Sequence, residues 1–249
     1  MKRRITPPAV ILVALLAATG CGAGSGTGTG TGTATTTSAV TPAAAQTATP
    51  TPTPTKTFSN ADLSGLLATL KDAQGKSLTV VPSAQIDQGI LKAKELLKTA
   101  VFTPAACKAF ADSNAQIPDG STYAGATSIS AADKTATVVT VIALKDAQTM
   151  TEQLNASQAS AAKCKTFTIE AAGQKITTET TPVAAETKGD VSFAALTKQH
   201  LATGQAQTAL TVTGIKGNLA ATAVKTGPAV TQQASAELTQ LINTVLAHG

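Results

Sequence analysis

Three cysteines, two histidines and fourteen carboxylates are the side chains of this 249-residue sequence that could do covalent, metal or acid–base work. The histidines are His200, in TKQHLATG, and His248, just past the closing helix. Neither has a cysteine or carboxylate at the short spacing a metal site uses, so no metal or cofactor is expected. A Ser/His/Asp relay needs a histidine that the fold delivers to a nucleophile. Only His200 qualifies, and near a strand end it reads as an exposed loop residue. Glycosidase chemistry needs two carboxyl groups facing one bond; Asp119, Asp133, Glu170 and Glu179 are the candidates, and no spacing selects a pair. The run GTGTGTG at 26–32 lacks the preceding strand, the following helix and the lysine of a phosphate loop. The chemistry-bearing residues therefore predict a protein that is not an enzyme.

The cysteines have other uses. Lys2, Arg3 and Arg4, an apolar run from Ala9 to Leu16 and the small residues Ala17 to Gly20 lead directly into Cys21. This order resembles a bacterial lipoprotein signal peptide with the lipobox ATGC, in which Ala18 stands where leucine is usual. The apolar run is shorter than the roughly 20 residues a spanning helix needs. Residues 1–20 are thus expected to be a signal peptide, and Cys21 to carry a diacylglyceryl anchor that holds the protein at the extracytoplasmic face of the membrane. Export to an oxidising compartment leaves Cys107 and Cys164, 57 positions apart, as the economical disulfide pair.

Processing also alters the charge. Removing Lys2, Arg3 and Arg4 from the 19 basic residues leaves 16 against 14 acidic ones and no arginine at all. A nucleic-acid partner, which arginine forks would serve, is not expected. Residues 22–57 are nearly all Gly, Thr, Ser, Ala and Pro, ending in TPTPTPTKT. They have no apolar periodicity with which to offset the entropy of ordering, so 21–57 reads as a disordered tether.

Positions 58–249 must then supply the folded domain, with a core of Leu, Ile, Val and Ala, because the sequence has five Phe, one Tyr and no Trp. Leu63, Leu66, Leu67 and Leu70 predict a helix capped at Ser59 or Asn60, and KSLTVVP a short strand. Ser83 is read as the cap of a helix with Ile86, Ile90, Ala93 and Leu97 on one stripe and Lys92, Lys94, Glu95 and Lys98 on a solvated face. Thr103 and Pro104 read as the start of a short helix that places Cys107 and Phe110 together. Strands are expected at 123–130 and 135–144, the second a central strand covered on both faces. A helix from Asp146 should carry Ala147, Met150 and Leu154. A hairpin turning at 172–174 should face Phe167 and Ile169 inward, strands should follow near 191–198, 208–215 and 219–225, and Gly227–Pro228 should open a closing helix. This order predicts an α+β fold, a largely antiparallel β-sheet flanked by helices, as a single domain after the tether.

The segments FTPAACKAF, AAKCKTFTI and TVTGIKGNLAATAV resemble the extracellular sensor domain of actinobacterial PknH-like receptor kinases and of the cell-wall lipoproteins that share it. The resemblance implies an antiparallel sheet flanked by helices, a cleft for an unidentified ligand, and no catalytic residues. Two disulfides are common in that family, and this chain can supply one. The expected function is that of a non-enzymatic, lipid-anchored surface domain binding a cell-envelope ligand or protein. The alternative is a carrier of lipid or another apolar molecule, whose cavity the Ala- and Val-rich strands would line. A wall hydrolase is the third class.

Overall fold

The structure is a computed structural model and describes residues 56–114, 117–118, 120–144, 152, 155, 159–160 and 162–249. Cys21, the signal segment, most of the tether, Asp119 and nearly all of the helix expected from Asp146 lie outside the described residues.

Nine strands form one wholly antiparallel sheet in the order β1-β3-β4-β9-β8-β7-β6-β5-β2. The strands are β1 (Thr79–Val81), β2 (Val101–Thr103), β3 (Thr122–Ser130), β4 (Thr135–Ala143), β5 (Thr166–Ala171), β6 (Gln174–Pro182), β7 (Val191–Leu201), β8 (Ala206–Lys216) and β9 (Leu219–Gly227). The meander β5 to β9 is built from short turns. At the β5–β6 turn Ala172 and Gly173 both have positive φ, 50° and 73°, the backbone of a two-residue hairpin loop. β9 then pairs with β4, which brings the β3–β4 hairpin alongside the meander.

Side chains alternate between the two faces of this sheet. On one face lie Ala124, Ala126, Val139, Val141, Leu210, Val212, Ala221 and Ala223. Two helices cover them: α1 (Asn60–Ala68), through Leu63, Leu66 and Leu67, and α4 (Ser235–Leu246), through Leu238, Leu241, Ile242, Val245 and Leu246. The alanines let α4 approach closely. A Cβ added at Gly214 would stand 2.8 Å from both Ile242 Cγ2 and Leu246 Cδ1. Lys225 on β9 donates to Glu237 in the first turn of α4 at 2.6 Å, a pair only 15% and 18% exposed.

The opposite face meets α2 (Ser83–Thr99) and α3 (Cys107–Asn114). Helix α2 runs from one edge strand to the other, since β1 feeds it through Pro82 and it passes through Ala100 into β2. At its start Ile86 lies over Gly125 of β3, 3.2 Å from where a Cβ would be, and Asp87 accepts a hydrogen bond from the Tyr123 hydroxyl. At its end Leu97 joins Ala100, Phe102, Cys107, Ala111, Cys164, Phe167 and Ile169 in a second core. Nine flat strands would set the sheet edges about 38 Å apart, whereas a 17-residue helix spans about 26 Å. A helix shorter than the flat sheet is wide fits edges that curl toward it, and the α2 face is called the concave one.

Three expected boundaries move. Pro82, with no side-chain cap bond, holds the N-cap of α2, and Ser83 is already helical. Thr103 stays in β2, paired with Thr168, so the helix begins at Cys107. Gly227 stays in β9, paired with Thr208, and α4 begins at Ser235 after a 3₁₀ turn over Gln232–Ala234. In the last two cases strand pairing carried the chain past a local helix-start signal.

Candidate functional site

The structure joins Cys107 and Cys164 in a disulfide, with Cα atoms 5.7 Å apart. The bond sits in the aromatic end of the concave side, where Phe110 meets Phe167 edge-on at 6.4 Å and Phe102 stacks on Phe167 at 6.2 Å. It ties α3 to the residue that leads into β5, and its place is that of a staple.

The candidate catalytic groups are not brought together. His200 is exposed on β7, opposite Thr177 and Ala206. His248 follows α4, where its carbonyl accepts from Lys56 Nζ at 2.5 Å. Asp133 lies in the β3–β4 turn and accepts from Ser130 Oγ at 2.7 Å. Glu170 pairs with Lys175 at 3.3 Å. Glu179 stands opposite Thr166, four residues along the same hairpin from Glu170, or about 13 Å away. That exceeds the roughly 5–9.5 Å separation of glycosidase carboxyl pairs. Among the described residues no group of three or more His, Cys, Asp or Glu could hold a metal ion.

Charge is instead sorted by face. Following the unbroken registers from β3 to β2, every charged strand residue falls on the convex side: Glu170, Lys175, Glu179, Lys198, Lys216 and Lys225. Among the described residues the strands put no charge on the concave side, where α2 brings Asp87 to Tyr123 and α3 brings the Lys108 ammonium 5.6 Å from the centre of the Phe102 ring. The centre of that side is a field of hydroxyls and one amide: Thr140, Thr222, Thr213, Thr211, Thr226, Thr197, Thr180, Thr178 and Gln199, on a floor of Ala195, Ala209 and Val224. Five of these polar residues are buried, Thr178, Gln199, Thr211, Thr222 and Thr226. Apolar groups bound the field at both ends, Phe102, Phe167 and Ile169 at one and Tyr123, Ile142, Phe193 and Ile215 at the other.

Some of these hydroxyls have partners. Thr213 and Thr222 share a hydrogen bond at 3.0 Å, and Thr226 Oγ1 donates to the carbonyl of Ala136 at 3.4 Å. Two atoms do not: Thr178 Oγ1 and Gln199 Oε1 are buried with no hydrogen-bond partner, in residues 3% and 4% exposed. The two residues face each other across β6 and β7, next to Phe167. An unmet buried polar atom costs about 1–3 kcal/mol.

Two further concavities flank α4 on the convex side. One, of about 770 Å³, lies between Ala184–Lys188 and the helix residues Ser235, Thr239, Gln240 and Asn243. The other, of about 520 Å³, lies between Thr69–Gly75 and Glu237, Gln240 and Thr244. At the first, Asn243 Oδ1 accepts from the amide of Lys188 at 2.6 Å.

Sequence reasoning located the disulfide and missed Thr178 and Gln199. The available signal was the alternation in QKITTETTP and VSFAALTKQHL, whose charges all fall on one parity. Recognising that the two neutral sets meet requires the β6–β7 register.

The sequence matches no protein-family model, and no curated protein aligns with it. Among solved structures, the extracellular domain of PknH from Mycobacterium tuberculosis is similar at 13% identity and a TM-score of 0.48, over 78% of this chain and 97% of that one. A putative uncharacterized protein from Mycobacterium smegmatis is similar at 15% identity and a TM-score of 0.42, over 60% of this chain and 77% of that one. Both scores fall below 0.5, so no argument about function rests on either; the first is the kind of domain the sequence resembles.

Proposed function

We propose that this is a lipid-anchored protein of the cell envelope whose domain binds a small ligand on the concave face of its sheet, without catalysing a reaction. The observation that carries the reading is the field of threonines, without strand charges, on the concave face, of which Thr140, Thr180, Thr197 and Thr213 are half-buried. Half-buried hydroxyls on a face without strand charges can donate to and accept from a bound molecule. The lipobox before Cys21 supports anchorage. The dispersal of Asp133, Glu170 and Glu179 speaks against hydrolysis.

The alternative reading is a carrier of apolar molecules. The Ala- and Val-rich positions on the convex side are filled by α1 and α4, so they serve helix packing. The test is thermal unfolding of the purified protein with two envelope fractions, one water-soluble and one lipid. The water-soluble fraction should raise the midpoint, as any ligand of the native state does. A rise with the lipid fraction alone would favour the carrier, and no rise with either would overturn ligand binding.

A further inference from the structure

The groove of about 770 Å³ along α4 meets the root of the tether. His248 lines its end, and the carbonyl of His248 accepts from Lys56 Nζ at 2.5 Å. The carbonyl of Lys56 is held in turn by Asn218 Nδ2 at 3.1 Å, which fixes the chain's entry beside the C-terminal end of α4. We infer that the segment TPTPTPT, residues 49–55, docks in this groove on the convex side, whatever binds the opposite face. The lengths agree. The lining runs from Ser235 to His248, about 20 Å at the helical rise, and seven residues of polyproline II, the conformation a Thr/Pro alternation favours, span about 22 Å. The groove is accessible, since Ala184, Ala236, Gln240 and Ala247 in its lining are exposed. Its alanines give low apolar walls on which proline rings can lie. A polyproline II backbone makes no internal hydrogen bonds, so its carbonyls can accept from the side-chain amides of Gln240 and Asn243. Asn243 meets Lys188 through Oδ1, which leaves Nδ2 to donate outward. The segment is uncharged and asks nothing of the exposed Glu186 and Lys188. Joined to the domain next to the groove, it acts at an effective concentration in the millimolar range, and its preformed conformation keeps the entropy cost of docking low.

The test compares hydrogen exchange of the full-length protein with that of a full-length variant in which residues 49–55 are replaced by Gly-Ser repeats of equal length. The wild type should exchange more slowly across 184–188 and 235–248, by about threefold if the segment is docked two-thirds of the time. Ala236→Arg, at an exposed helix position in the lining, should leave the thermal midpoint unchanged and bring exchange with the natural tether to the level of the Gly-Ser variant, because its side chain occupies the groove. Equal exchange in the wild type and the Gly-Ser variant would overturn the inference. Slowing across 69–75 in place of 184–188 would overturn it too, by putting the segment in the concavity on the other side of α4. So would slowed exchange that persists in Ala236→Arg. None of these results bears on the concave face, which the envelope fractions test separately.

Discussion

Asp72 shows how single side chains hold the loops of this domain. Its carboxylate accepts from Ser128 Oγ at 2.5 Å and from the amides of Gln74 and Lys76 at 3.0 and 2.9 Å, and these bonds, Ser128 first, hold its pKa below the usual 3.8. Asp62 is lowered in the same direction by Ser59, with which it forms a reciprocal helix cap. A carboxylate with a depressed folded pKa contributes stability that is present above its unfolded pKa and is lost as pH falls through the folded one. Stability should therefore decline below about pH 4, and Asp72→Asn should flatten that decline while lowering stability at pH 7, as acid titrations of the unfolding midpoint would show. Tyr123 runs the other way. Its hydrogen bond to Asp87 pushes its pKa up to about 12, so it remains a neutral donor, and its contribution is lost only as pH rises through that value. At Cys107 and Cys164, closing a loop with a sequence separation of 57 is worth about 4 kcal/mol in the chain-entropy model. The double serine variant should melt about 10 °C lower by calorimetry. This pairing was legible in the sequence because the expected export, with Cys21 expected to carry the anchor, left two thiols. Thr178 and Gln199 were not, because an ordinary threonine in a strand becomes unusual only when register and burial leave its hydroxyl unmet.

At the scale of elements, the leucines of α1 and the continuous apolar run of β4 declared themselves through spacing. β4 lies third of nine strands, with Val139, Val141 and Ala143 under the helices and Ile142 and Leu144 in the concave cluster. The bridging role of α2 was illegible, since nothing local in SAQIDQGILKAKELLKT says that its two ends meet opposite edges of one sheet. Its lysines are exposed, as the amphipathic pattern required, and only Ala93 and Leu97 are buried. Helix α4 depends on a bare contact at Gly214. Gly214→Ala should destabilise the protein by about 1–3 kcal/mol, through overpacking against Ile242 and Leu246, and urea unfolding would measure it.

For the whole molecule, the fold class was readable from the order of helices and hairpins, and the segregation of charge between faces was not. That segregation follows from pairing, because residues distant in sequence share a face only once nine strands are in register. Near the start of the described residues, Lys56 and Phe58 are tied to the C-terminal end of α4 and to the start of β3 through His248 O and Thr122 Oγ1. The tether would therefore join the domain at that end. Cys21→Ala should release the protein from the membrane fraction or leave it as precursor, as fractionation and mass measurement would show; acylated, membrane-bound mutant would refute the anchor. The most direct test of the concave face is hydrogen exchange on the wild-type protein with and without the water-soluble envelope fraction. Slowed exchange across 174–182 and 191–201 is the result expected. Protection confined to the groove of 184–188 and 235–248, or none, would contradict it.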